Sequence, residues 1–215
     1  PMTPQPSTST RPPQADDRVL VLGCGVIGLL TLQAVRAVAP DCAVTAVARY
    51  PHQAEAARRL GATEVVSRAD YAGLARLSGA KFYPAPMNKG MVLGGYDVVY
   101  DCVGHANTLE DSLRWTRAGG TVVIVGIDFA PMKLDLSPVW YQEVNLIGAL
   151  AHGMDTWQGR TQSTYAWVVE WLRSGQLTAA GLITHRFRFE QYRAAVETAT
   201  AKGSQRPIKV IFDYT

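Results

Sequence analysis

The sequence predicts an α/β fold: a doubly wound, mostly parallel sheet with helices on both faces, followed by a short C-terminal helical and strand segment. Three observations predict it. Apolar runs of four or five residues, the length of buried strands, alternate along residues 18–155 with stretches of helical length. A glycine-rich turn, Gly23-Cys24-Gly25-Val26-Ile27-Gly28, joins the first such run to the first such helix. The composition, 47% hydrophobic and 18% charged over 215 residues, is that of a globular chain long enough to bury a core.

Residues 1–17 (PMTPQPSTSTRPPQADD) hold Pro, Ser and Thr and almost no large apolar side chain, so they read as a linker or tail. With Pro rather than Met in first place, a fragment of a longer protein is expected. Val19–Leu22 is a strand that stops at Gly23. Val26–Ala39 is a helix apolar nearly all round, ended by Pro40 and Asp41. Ala43–Val47 is a second strand, Gln53–Leu60 a helix closed by Gly61, and Glu64–Val66 a third strand. Asp70 caps a short helix through Leu77. Residues 78–95, with Pro84, Pro86 and four glycines, read as an irregular loop. Tyr96–Tyr100 is a strand, Ala106–Trp115 a helix, and Thr121–Val125 a strand entered through Gly119-Gly120. Met132–Leu136 alternates apolar and charged residues as an exposed edge strand does, and Leu146–Ala151 is a further apolar strand. In the C-terminal segment, residues 156–215, Thr161–Arg173 and Glu190–Lys202 read as helices and Ile208–Phe212 as a strand.

The net charge of +3 is small and no run of Lys or Arg concentrates it, which argues against a nucleic-acid or membrane-surface partner. Three cysteines, Cys24, Cys42 and Cys102, make neither a disulfide framework nor a Cys-rich metal site. No apolar run nears the ~20 residues of a membrane span, and no signal pattern opens the chain. A cytoplasmic location is expected.

The glycine turn fits G-x-G-x-x-G between a strand and a helix. Gly23 permits the tight turn, Gly25 lets a pyrophosphate approach the backbone, and Gly28 lets the helix pack on the strand. The N–H groups of Val26, Ile27 and Gly28, with the helix dipole behind them, attract phosphate. The same residues are similar to the first motif of S-adenosylmethionine-dependent methyltransferases, but the acidic residue usual two positions before the first glycine is here Val21. About 20 residues past the turn, an NAD-specific domain carries a carboxylate for the adenine ribose. Here the positions are Ala48, Arg49 and Tyr50. A carboxylate would repel a ribose 2′-phosphate and an arginine pairs with it, so the sequence favours NADP, with NAD as the other option. Arg49 as a plain solvated side chain is the alternative, and Tyr50 either stacks on adenine or covers the loop.

From Arg18 to Tyr214 the chain resembles the cofactor domain of zinc-dependent medium-chain alcohol dehydrogenases, in the group that includes threonine and sorbitol dehydrogenases. The resemblance rests on VLVLGCGVIGLLTLQAVRA, EAARRLGATEVV, GGYDVVYDCVG, RAGGTVVIVGI, LITHRFRFEQYRAAVETA and PIKVIFDY, in the family's order and spacing. It implies that Cys102, Val103 and Gly104 line the adenosine-to-nicotinamide side of a cleft and that Val125, Gly126 and Ile127 border the nicotinamide. It also implies that Ala149 and Leu150 hold the carboxamide through backbone groups, and that Lys209 lies near the pyrophosphate. Core packing is the plainer reading of Val103, Val125 and Ile127.

The resemblance further implies hydride transfer between a nicotinamide and an alcohol or carbonyl, with a zinc ion held by an N-terminal lobe that has no counterpart in this chain. His52, His105, His152 and His185 are too scattered to rebuild a zinc site, so no catalytic or metal residue is assigned. His105, at a helix start, either faces the cleft or caps the helix. The resemblance also implies a homodimer through the 132–136 strand. A non-catalytic nucleotide-binding module is the remaining alternative.

Overall fold

The computed structural model describes residues 12–84, 90–150 and 152–214. The chain runs through β1 (Arg18–Leu22), α1 (Val26–Val38), β2 (Ala43–Val47), α2 (Pro51–Arg59), β3 (Glu64–Val66) and α3 (Tyr71–Leu77). A short hairpin follows, β4 (Lys81–Tyr83) and β5 (Met91–Leu93), then β6 (Tyr96–Asp101), α4 (Ala106–Trp115), β7 (Thr116–Ile124), α5 (Ser137–Tyr141) and β8 (Asn145–Gly148). The C-terminal part holds β9 (Met154–Trp157), β10 (Arg160–Ser163), α6 (Thr164–Ser174), β11 (Ile183–Phe187), α7 (Tyr192–Thr200) and β12 (Lys209–Phe212).

The main sheet is six-stranded, in the order β3-β2-β1-β6-β7-β8, and every pairing in it is parallel. It is the predicted doubly wound sheet. Its inner strands carry apolar runs, Val19–Leu22 in β1 and Val98–Val99 in β6, because both faces are covered. Val19 and Val21 of β1 pack in one cluster with Leu29 and Leu32 of α1. Leu20 and Leu22, pointing the other way, pack in a second cluster with Leu74 of α3 and Leu109 and Leu113 of α4. At the amino end of the sheet Asp97 holds two strands together. Its carboxylate accepts the Arg18 backbone N–H (2.8 Å) and the Arg117 guanidinium.

Five stretches differ from the sequence reading. The tail ends earlier than residue 17: Pro13 and Asp17 are buried, and the Asp17 carbonyl accepts Ala43 N–H (3.1 Å), which extends the β1–β2 ladder. Residues 1–11 of the expected tail lie outside the described residues. The expected loop 78–95 contains the β4–β5 hairpin, seated by Val92 in the core and by Phe82 against Tyr71 (5.7 Å between rings). Strand β7 begins at Thr116, not Thr121, and takes Gly119 and Gly120 into the strand at a register shift.

Residues 132–136 form no strand. They run as irregular chain with Leu134 packed on the core and Asp135 N–H bonded to Glu110 (2.9 Å), and the sheet's edge is β8. Last, the expected helix start at Thr161 belongs to the β9–β10 hairpin, whose turn is Gln158 and Gly159, both at positive φ (51° and 75°), as a two-residue type I′ turn requires. Trp157 packs edge-on against Trp167 (5.2 Å) and Trp171 (5.6 Å), which lie tilted to each other at 6.5 Å, and the three give this hairpin and α6 a small core of their own.

The C-terminal ribbon β11–β12 is parallel and sits outside the main sheet. It is anchored to the main domain by Leu182 and Ile208 in the α1–α2 cluster and by Gln33, which bonds both ways with the Thr178 backbone (2.8 and 3.2 Å). Among the described residues, no helix is long and apolar enough to cross a membrane.

Candidate functional site

The strand order reverses between β1 and β6, and in a doubly wound sheet ligands bind in the crevice outside the carboxyl ends of the strands at that point. The glycine turn occupies the β1 side. Gly23 has φ +90°, and a Cβ there would lie 2.5 Å from Val103 Cγ2 of the neighbouring loop. Gly28 packs against the turn itself: a Cβ would sit 1.8 Å from the Gly23 carbonyl oxygen. Gly25 differs from both. Its φ is ordinary (−70°), and a Cβ would meet nothing within 4 Å. Space is therefore left above the first turn of α1, and no side chain caps that end and no acidic residue lies in its first turn. Val26 is half-buried and Ile27 exposed, so the turn's N–H groups face an open, electropositive place that fits a pyrophosphate.

The β6 side is organised by a residue the sequence reading passed over. Asp101, fully buried at the end of β6, accepts the backbone N–H groups of Val103 (2.9 Å) and Gly104 (3.0 Å) on Oδ1 and the Thr108 hydroxyl on Oδ2 (3.0 Å). Its carbonyl accepts Val125 N–H (2.9 Å) and Gly126 N–H (2.8 Å). One residue thus ties the loop after β6 to the loop after β7. The two loops meet backbone to backbone: a Cβ on Gly104 (φ +81°) would be 2.5 Å from the Gly126 carbonyl carbon, and one on Gly126 would be 2.4 Å from that of Val103. The structure therefore brings the loops Cys102–Gly104 and Val125–Ile127 together. Val103 and Val125 also pack on the two cores, so for them the plainer reading holds as well, whereas Ile127 is 67% exposed and is no core residue.

His105 caps α4 and lies at the cleft mouth. Its backbone N–H donates to Thr108 Oγ1 (3.1 Å), and its Nδ1 lies 2.8 Å from Asp128 Oδ2 across the two loops. The Ala130 backbone N–H and His105 hold the Asp128 carboxyl below the usual carboxylate range. Burial pushes the thiols of Cys24 and Cys102 up to about 12. Both thiols therefore favour the protonated form near neutrality, a poor state for a nucleophile. Among the described residues, no group of three or more His, Cys, Asp or Glu could hold a metal ion.

At the end of β2 the reading needs one correction. Ala48 is fully buried because the β2–β3 ladder runs one residue past the strand, with Ala48 N–H bonded to the Val66 carbonyl (2.9 Å). Its side chain is core, not ligand surface. Arg49 is the exposed residue, its guanidinium 5.8 Å from the Tyr50 ring centre, and Tyr50 stacks on His52 (5.8 Å). After β8, Ala149 N–H bonds to the Ile124 carbonyl (2.9 Å), and Leu150 is 82% exposed at the carboxyl edge. Lys209 is exposed in β12; its carbonyl accepts the Thr184 hydroxyl. The contacts that tie this ribbon to the domain reach α1 and α2 rather than the glycine turn.

A family model described as zinc-binding dehydrogenase matches residues 26–174. The chain is 33% identical over 201 residues to L-idonate 5-dehydrogenase of Vitis vinifera, covering 92% of this chain and 50% of that protein. It is 31% identical over 199 residues to sorbitol dehydrogenase of Arabidopsis thaliana, with the same shares. The chain thus spans about half the length of the curated relatives it matches. Among solved structures, a zinc-binding dehydrogenase from Sinorhizobium meliloti 1021 bound to NADP superposes with a TM-score of 0.68 at 25% identity, covering 93% of this chain and 53% of that one. Alcohol dehydrogenase TADH from Thermus sp. ATN1 superposes with a TM-score of 0.72 at 23% identity, covering 93% and 51%, which speaks to the fold alone.

Proposed function

The chain belongs to the zinc-binding dehydrogenase family, and from that premise we propose that it is the dinucleotide-binding part of an alcohol or polyol oxidoreductase with a preference for NADP(H) over NAD(H). The observation that carries this reading is the triad of glycines. Gly23 and Gly28 are forced by close contact, and Gly25 alone of the three stands over open space, at a helix end beside the crevice. When bound, the nicotinamide accepts or donates the hydride. This chain's residues bind and orient it. The α1 N-terminus takes the pyrophosphate, Arg49 faces the ribose phosphate, and the paired loops 102–104 and 125–127 with Ala149 and Leu150 form the nicotinamide wall. The zinc that polarises the substrate oxygen belongs to the part of the enzyme outside this chain. The relatives' names point to an alcohol or polyol substrate. The methyltransferase alternative is not favoured by the family match.

Titration followed by NADPH fluorescence is expected to give saturable binding, with a dissociation constant on the order of micromolar to millimolar. Saturable binding of S-adenosylmethionine with no response to either dinucleotide would overturn the reading.

We further propose a homodimer in the cytoplasm. Edge strand β8 has its outer side open, and Phe129 (94% exposed), Trp140 (83%), Ile127 and Leu136 cluster in the sequence beside it. Open edges and exposed apolar surface both favour association. Sedimentation should show a dimer at tens of micromolar that Phe129→Ser with Trp140→Ser shifts to monomer; a monomer in the unsubstituted chain refutes it.

A further inference from the structure

The notion that Arg49 alone selects NADP leaves a second group of cations unexplained. The loop after α7, residues 201–206, is folded back against the end of β2. A Cβ on Gly203 would lie 3.6 Å from Tyr50 Cε1, and His52 Nε2, on the same aromatic pair, is 3.4 Å from the Pro207 carbonyl. Pro207 is buried and anchors the loop's end, while Lys202, Gly203, Ser204, Gln205 and Arg206 are all exposed. Gln205 N–H bonds to the Ala201 carbonyl (2.9 Å), so the loop is a defined turn. Arg206 sits at φ 54°, one of three non-glycine residues with positive φ among those described, and directly before a proline, a place that disfavours it.

The charges here are one-sided. Among the described residues, no carboxylate pairs with Arg49, Lys202 or Arg206. Glu55 on α2 and Glu197 on α7, the acidic residues on the adjoining elements, bond to none of these cations. The N-terminus of α2, with Pro51 in its first turn, starts at Tyr50 and has no side-chain cap. Arg49 beside the Tyr50 ring, an uncapped helix end, and the exposed Lys202, Ser204 and Arg206 of the loop whose Gly203 is seated on that ring thus belong to segments that meet at Tyr50. Cations left without acidic partners at the ribose end of a nucleotide cleft have an anion as their natural partner.

We propose that the 201–206 loop is the second half of the ribose 2′-phosphate subsite, with Lys202 and Arg206 facing the phosphate that Arg49 meets from the end of β2. The inference rests on the dinucleotide reading above and deepens it. NADP selectivity would then be shared between residues more than 150 positions apart in sequence. The same contact would dock the C-terminal ribbon on the cofactor.

The test uses 2′,5′-ADP and 5′-AMP as competing probes against NADPH fluorescence, with the chain as it stands. Lys202→Gln combined with Arg206→Gly removes both charges, and glycine accepts the positive φ without strain. The double variant is expected to melt with the parent, to bind 2′,5′-ADP and NADPH about tenfold more weakly, the loss of a charge-assisted contact, and to bind 5′-AMP and NADH unchanged. Arg49→Ala should act in the same direction, and raising salt should shrink the difference. If the double variant keeps the parent's affinity for 2′,5′-ADP while Arg49→Ala loses it, the loop is not part of the subsite and the dinucleotide reading survives. Equal loss for both nucleotides overturns the 2′-phosphate assignment. If the parent binds neither nucleotide, the dinucleotide reading itself fails.

Discussion

Gly28→Ala should both destabilise the chain and weaken NADPH binding, whereas Gly25→Ala should weaken binding alone. At Gly28 the new methyl would lie 1.8 Å from the Gly23 carbonyl oxygen and 2.9 Å from its carbonyl carbon. Both are backbone atoms of the tight turn and cannot swing aside as a side-chain end could. The cost belongs at the upper end of overpacking, about 3 kcal/mol, or roughly 6–12 °C in melting midpoint for a chain of this length. The displaced turn would also lose its aim at the phosphates. At Gly25 the methyl meets nothing of the protein and the backbone is unstrained, so the midpoint should drop by no more than about 4 °C, the scale of an N-cap change of ~1 kcal/mol. Yet the methyl stands where the pyrophosphate must come, and affinity should fall at least about tenfold. Thermal melts read by circular dichroism, with NADPH titrations of the same samples, separate the two effects. Equal melting of both variants with the parent would mean that the Gly28 contact does not restrain the turn.

Asp101→Ala should be the most damaging single change outside the glycine turn. It leaves the buried Gly104 N–H and the half-buried Val103 N–H without their acceptor, while the Thr108 hydroxyl keeps the His105 carbonyl. At about 1–3 kcal/mol for each buried group left unsatisfied, a loss of about 2–4 kcal/mol is expected for the two. NADPH affinity should fall with it, because the loops after β6 and β7 no longer share an anchor. Asp101→Asn should recover part of the loss: its carbonyl can still accept the two N–H groups, and the Thr108 hydroxyl can turn from donor to acceptor for the amide. An Asp101→Ala protein that melts within about 2 °C of the parent would show that the loops are held by their glycine contact alone.

What the sequence disclosed and what it hid divide along a physical line. The glycine turn was legible because its demands fall on the backbone, and only glycine meets them at Gly23 and Gly28. The central strands were legible because burial on both faces removes polar residues from them. Ala48 shows in the sequence that no carboxylate stands there, but its burial depends on how far the β2–β3 ladder runs, which no local pattern states. Asp101 was passed over because its importance comes from two loops meeting in space, and a single aspartate after an apolar run has many ordinary readings. The Gln158-Gly159 turn carried a real hairpin signal, but the helical pattern beyond it absorbed Thr161–Ser163. Prolines and glycines around residues 84–95 masked the β4–β5 pair. At 132–136 true alternation came from Leu134 reaching the core out of irregular chain, and alternation without a partner strand makes no strand within one molecule.

The strand order has a consequence for how the molecule comes together. Within the first half of the sheet, β1 pairs Arg18 with Ala43 and β2 pairs Thr45 with Glu64, so each strand finds its neighbour across one short crossover. The β1–β6 seam instead joins positions 79 apart in the chain, as in the Arg18–Asp97 contact. Closing that loop costs about 1 kcal/mol more chain entropy than the shorter crossovers, since the penalty grows only with the logarithm of length. The penalty is small, but it falls at one place. The crevice lies on this seam, with Gly23 on one bank and Val103 on the other, so the site is assembled from two halves that can each take shape before they meet. The groove does not exist in either half, and a nucleotide bound across it adds its own binding energy to the longest-range joint in the sheet.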